Sequence, residues 1–157
     1  MTTPRPIMNL SQVEYTTVKN GERFEARLGF IGPKIGAQKL GYNVTIVPPG
    51  KRAFPFHSHR ANEEMFFVLE GKGELRLGKE RIAIEKGDVI ACPAGGPETA
   101  HQIVNTSDAE LRYLAVSTKI SPELAEYPDS GKFGVLGEGF RYVGKAEGTL
   151  DYYEGND

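Results

Sequence analysis

From Lys72 to Gly95 the chain reads KGELRLGKERIAIEKGDVIACPAG, with apolar residues at every second position and glycine at each break. Leu75 and Leu77 alternate with Glu74 and Arg76, and Ile82 and Ile84 alternate with Arg81 and Glu85. Residues two apart share one face of a strand, whereas a helix repeats every 3.6 residues, so this spacing predicts half-buried strands. The breaks GKG, GKE and KGD carry the glycines that tight turns between antiparallel strands favour. Many short strands without intervening helices exclude a doubly wound α/β sheet and predict an all-β sandwich or jelly-roll barrel.

The flanking stretches extend the pattern. In YNVTIVPPG, residues Tyr42, Val44 and Ile46 share a face and Pro48, Pro49 and Gly50 end the run. EEMFFVLEG carries consecutive apolar side chains, as expected of a strand covered on both faces. HQIVNTSDAELRYLAVST supplies further strand material. The best helical signal is SPELAEY, where Ser121 can cap one turn with Pro122 at its first position. A length of 157 residues suits one domain over 1–157. Its barrel core is expected at about 24–118, with an N-terminal arm over 1–23 and a polar, glycine-rich tail over 119–157. The tail can add a strand at KFGVL or FRYVG. Arms of this kind cover open sheet edges, their own or a neighbour's, which raises the expectation of a homodimer.

With 19 basic and 21 acidic residues the formal charge is −2, which gives no overall attraction to nucleic acid or an anionic membrane. No helix-turn-helix segment, long apolar run or secretory h-region is visible, so neither DNA nor membrane is an expected partner and a cytoplasmic location is. Cys92 is the single cysteine, which excludes an intrachain disulfide and a CxxC site; a small buried apolar side chain outweighs a reactive thiolate as its reading.

The stretch FHSHRANEEMFFVLEG holds two of three histidines. On a strand, His57 and His59 project to the same side and can chelate together. Glu63 and Glu64 follow at the start of an apolar strand, where an unpaired carboxylate is costly to bury. Glu64 shares a face with Phe66 and Val68, which makes it the better ligand candidate. The third histidine, His101, lies at the head of HQIVN. Three imidazoles and one carboxylate suit one divalent first-row metal (Fe, Mn, Ni, Co or Zn) and suit calcium poorly.

PGKRAFPFHSHRANEEMFFVLEG resembles the first cupin motif, with Gly50, His57, His59, Glu64 and Gly71 at its marked positions. KGDVIACPAGGPETAHQIVN resembles the second, through Gly87, Pro93, Gly95, His101 and Asn105. The resemblance covers roughly residues 40–118 and extends to small single-domain cupins described as sugar-phosphate-isomerase-like. It implies a double-stranded β-helix, a jelly-roll barrel holding one metal through His57, His59, Glu64 and His101. Six residues separate Gly50 from His57 where the family pattern has five, and five separate Gly95 from His101 where it has two.

Four protein ligands on a six-coordinate metal leave about two positions for substrate, which suits a small molecule with neighbouring oxygens. Glu64 serves as a fixed ligand or as a general base, and Glu98 in the lengthened loop, beside Thr99, is a second catalytic candidate. Lys51, Arg52 and Arg60 are candidates for holding a phosphate or carboxylate. Tyr42, Phe54, Phe56 and Phe66 are candidates for walls of the binding site or for core. The expected function is a metal-dependent isomerase or epimerase of a sugar-phosphate-type substrate. Alternatives are an iron-dependent dioxygenase and a non-enzymatic small-ligand-binding protein.

Overall fold

The computed structural model describes residues 5–155; the outermost residues of the expected arm and tail, 1–4 and 156–157, lie outside it. Its strands are β1 (Thr16–Asn20), β2 (Phe24–Phe30), β3 (Leu40–Val47), β4 (Ser58–His59), β5 (Glu64–Glu70), β6 (Lys72–Leu77) and β7 (Glu80–Glu85). They continue with β8 (Val89–Cys92), β9 (His101–Val104), β10 (Leu111–Thr118), β11 (Glu123–Tyr127), β12 (Lys132–Gly137) and β13 (Phe140–Gly144). Among the described residues, helix is confined to single 3-10 turns at Leu10–Gln12, Gly32–Ile35 and Pro97–Thr99.

One sheet runs in the order β1-β2-β3-β10-β5-β8. The other layer is made of β7-β6-β9 and β13-β12-β11-β4, joined by an antiparallel bridge between His57 and His101. All strand pairs are antiparallel. Side chains from both layers meet in one core: Phe66 and Val68 of β5, Leu111 and Tyr113 of β10, Leu75 of β6, Ile84 of β7 and Ile103 of β9. The alternation that predicted these strands is what fills this core, since every second residue points inward. The result is the double-stranded β-helix.

The outer face of β3 is covered by the arm. Val44 and Ile46 pack with Val13 and Ile31, flanked by Met8, Tyr15 and Tyr42. Gly29 permits that approach, because a Cβ there would run into the Val13 side chain. The arm also adds β1 to the edge of β2. At the β5–β6 turn Gly71 holds φ +85 with its Cα against the Glu110 carbonyl, a conformation and a space that exclude a side chain.

Two expectations for the tail change. SPELAEY forms no helix; Glu123–Tyr127 is strand β11, held between β4 and β12. Both KFGVL and FRYVG fall within strands, β12 and β13, so the tail contributes three strands. Asn105 is fully buried and satisfied: its amide donates to the Val47 and Ala109 carbonyls (2.8 and 2.7 Å) and its oxygen accepts from Ser107. That bonding gives the second motif's asparagine a structural role.

Candidate metal centre

His57 and His101 are directly opposed across two strands, their backbones exchanging hydrogen bonds of 3.2 and 2.8 Å. Such a pair places both side chains on one face of the sheet, and His59, two residues on, shares it. Glu64 heads β5 in the facing sheet, opposite Ser117 and Cys92. The two layers therefore close three imidazoles from one side over one carboxylate from the other. Glu64 Oε2 lies 2.8 Å from His101 Nε2, 3.2 Å from His59 Nε2 and 3.6 Å from His57 Nε2. The four candidate ligand atoms all fall within 4.8 Å of one another.

The lengthened loop before His101 is taken up by the 3-10 turn Pro97–Thr99, closed by Thr99 N–H and Oγ1–H donating to the Gly96 carbonyl (3.0 and 2.9 Å). The extra residues leave His101 in register with His57. The Nδ1–H of His57 donates to the Pro55 carbonyl (2.7 Å) and that of His101 faces the Thr99 carbonyl at 3.4 Å. These contacts turn each Nε2 toward Glu64.

The residues fit a divalent cation. Three imidazoles converge on one carboxylate oxygen, and His59 Nε2 is buried without a hydrogen-bonding partner among the described residues. A cation among these atoms satisfies a cost the protein alone leaves standing. The mixed nitrogen and oxygen set selects a first-row divalent metal by its chemistry, without specifying which. Burial pushes the Glu64 carboxyl up, but the close imidazoles of His101, His57 and His59 outweigh this and hold it far below the ordinary carboxylate range. Burial likewise opposes charge on His59, yet Glu64 and then Glu123 raise its pKa above the usual 6.5.

A raised His59 pKa means that protons compete for this ligand at higher pH than they would for a free imidazole of about 6.5. Metal is thus expected to be released as pH falls through 6.5, and elemental analysis after equilibration at stepped pH measures it. Full retention at pH 4 contradicts the assignment. Without metal the signs separate. The Glu64 contribution to stability is present above the ordinary carboxylate value and persists into strong acid, whereas the His59 contribution is present below 6.5 and lost as pH rises through its raised value.

A cleft of about 620 Å³ opens beside the ligands, lined among others by His59, Glu64, Ser117, Lys119, Glu123 and Glu138. None of Lys51, Arg52, Arg60, Tyr42, Phe56, Phe66 or Glu98 lines it. Lys51 Nζ donates to the Glu22 carbonyl, and Arg52 bridges Phe24 and Val104 through its backbone. Arg60 is paired with Glu126 at 2.6 Å. Tyr42 belongs to the outer cluster under the arm. Phe56 is buried beneath the Arg76 guanidinium, 3.7 Å from its ring centre. Phe66 is core; with Phe54 it lines a void of about 20 Å³ behind the histidines, room for a water and not for a substrate. Glu98 is exposed and accepts from the Gly96 N–H (2.9 Å) of its own loop. Cys92 is buried, and burial, with Glu64 nearby, pushes its thiol up to about 12, so it stays protonated at neutral pH. The cleft residues beyond Thr118 escaped sequence reasoning, because SPELAEY reads as a helix start and KFGVL as an added edge strand.

Among the described residues no helix is long and apolar enough to cross a membrane. Residues 43–117 match the family model for the cupin domain. A sugar phosphate isomerase of the cupin superfamily from Silicibacter pomeroyi is 25% identical over 94% of this chain and 98% of its own, with a TM-score of 0.81. A solved structure from Acidithiobacillus ferrooxidans is 21% identical over 94% of this chain and 97% of its own, with a TM-score of 0.79. An uncharacterised protein of Methanocaldococcus jannaschii is 38% identical over 72 residues, 46% of this chain and 54% of that one. The match thus spans about half the length of that curated relative.

Proposed function

The chain is a small cupin with its cupin domain at residues 43–117, and from that premise we propose a metal-dependent enzyme acting on a small oxygenated anion, an isomerase or epimerase of the sugar-phosphate type. The observation that carries this reading is that His59 and Glu64 of the quartet line a cleft that also receives Lys119. Lys119 has no ion-pair partner among the described residues, whereas Arg60 and Arg76 are engaged by Glu126 and Asp129. In the cleft Glu64 is committed to the imidazoles and Glu123 to backbone N–H groups, which leaves Glu138 as the acidic group opposing Lys119. A divalent cation at the quartet supplies Lewis-acid polarisation of two neighbouring substrate oxygens.

The chain's own groups do the rest. Lys119 takes over the role expected of Lys51, Arg52 and Arg60 and binds the phosphate or carboxylate at the cleft mouth. Glu64, held ionised by the imidazoles, serves as a fixed ligand rather than as the base. The similarity to the Silicibacter pomeroyi sugar phosphate isomerase supports the same substrate class.

The test is a panel of aldose and ketose phosphates supplied to metal-loaded protein without oxygen, followed by NMR. Interconversion that stops on chelation is expected. Lys119→Ala is expected to raise KM for the phosphorylated substrate about 10- to 100-fold, the worth of a charge-assisted hydrogen bond, with kcat little changed. Oxygen uptake with a catechol or diketone would transfer the assignment to a dioxygenase. A thermal shift with some ligand but no turnover would transfer it to a binding protein.

A further inference from the structure

Two of the three histidines anchor Nδ1 in the same way, on the carbonyl two residues upstream: Pro55 for His57 and Thr99 for His101. His59 does not follow them. Its upstream carbonyl is that of His57, which accepts the His101 N–H at 2.8 Å in the bridge that brings those histidines together. The His59 Nδ1 is buried and faces instead the carboxylate of Glu123, whose Oε2 lies 3.5 Å away. Glu123 is itself buried and held in place by N–H groups of Ala61 (2.9 Å), Asn62 (2.8 Å) and Leu124 (2.9 Å), and by the Asn62 amide. It stands at the head of β11, which pairs with β4 through Ala125 opposite His59.

We propose that Glu123, a residue of the C-terminal tail outside the cupin domain, is the positioning residue for His59, accepting its Nδ1–H so that Nε2 is presented to the metal. A cation at Nε2 fixes the ring proton on Nδ1, and Glu123 is the acceptor facing that atom. A carboxylate behind a ligating imidazole orients the ring and strengthens it as a donor, and loss of such a partner costs about 10- to 100-fold in metal affinity. The proposal rests on the metal reading of the quartet. It assigns β11 a part in the centre's strength, so the tail and the barrel form one site.

Zinc affinity by competition with a chelating dye, on the full chain, separates the possibilities. Glu123→Gln is expected to weaken zinc about 10- to 100-fold, and 15N NMR of the zinc-loaded variant is expected to show an altered Nδ1 signal for His59. Asn62→Ala removes a donor from the same turn but keeps the carboxylate; it is expected to lower thermal stability while leaving zinc affinity within about 3-fold, below the effect of losing such a partner. Unchanged affinity and an unchanged His59 signal in Glu123→Gln would overturn the proposal, as would an equal loss in Asn62→Ala, which would mark Glu123 as a purely structural brace. Wild-type protein that binds no zinc, manganese or iron(II) would overturn the metal reading and this proposal with it.

Discussion

His101→Ala is expected to leave a folded protein that carries no metal, where the intact chain is expected to hold one divalent ion. His101 is the most buried of the three imidazoles, and its Nε2 makes the shortest contact to Glu64. Its backbone bridge to His57 is independent of the side chain and survives the substitution. Loss of a ligand removes a direct bond, and since losing an orienting partner already costs 10- to 100-fold, affinity should fall by more than about 100-fold. The same difference appears in unfolding. Metal at about 1,000 times its dissociation constant stabilises the wild type by about 4 kcal/mol, which for a domain of this size raises Tm by about 10 °C. The variant should show no such shift. Stoichiometric metal retained by His101→Ala after dialysis would remove the quartet as the binding site.

Phe66→Ala is expected to cost about 3–5 kcal/mol of stability, a loss typical of a large aromatic removed from a packed core. Phe66 is 6% exposed, its ring meets Tyr113 edge-on at 5.7 Å and lies 5.7 Å from the His101 ring. Sequence alone allowed it to be a wall of the substrate site, and the two roles predict opposite results. A core residue lowers the denaturant midpoint steeply and loosens His101, so metal affinity falls too. A wall residue would alter KM and leave unfolding almost untouched. Denaturant titration of metal-free wild type and variant measures the first outcome, and an effect below about 1 kcal/mol would return Phe66 to the substrate site.

Most of the barrel was legible because its strands obey a local rule. Leu75, Leu77, Ile82 and Ile84 alternate, and all four lie in β6 and β7 as expected. The strand β11 was not legible, for a definite reason. Its inward positions hold Glu123 and Ala125, with Leu124 between them less buried, so the apolar alternation is inverted and the composition favours a helix. Hydrogen bonding to β4 and β12 overrides that preference. Lys51, Arg52 and Arg60, near His57 in sequence, do not line the cleft: they lie outside the two-residue strand β4, and Lys51 and Arg60 are engaged elsewhere by the Glu22 carbonyl and by Glu126.

The sequence by itself determined the strand period and the turns, which depend on residue type and spacing within a single element, and its resemblance to the two cupin motifs pointed to the four candidate ligands. Only the tertiary structure decided what surrounds those candidate ligands: the carboxylate of Glu123 facing His59 Nδ1, the cleft formed with Lys119, and the burial of Phe66 and Tyr42. Those properties arise from pairing between strands distant in the chain. A carboxylate more than 60 positions from a histidine becomes its neighbour only when the backbone hydrogen bonds of two sheets bring it there.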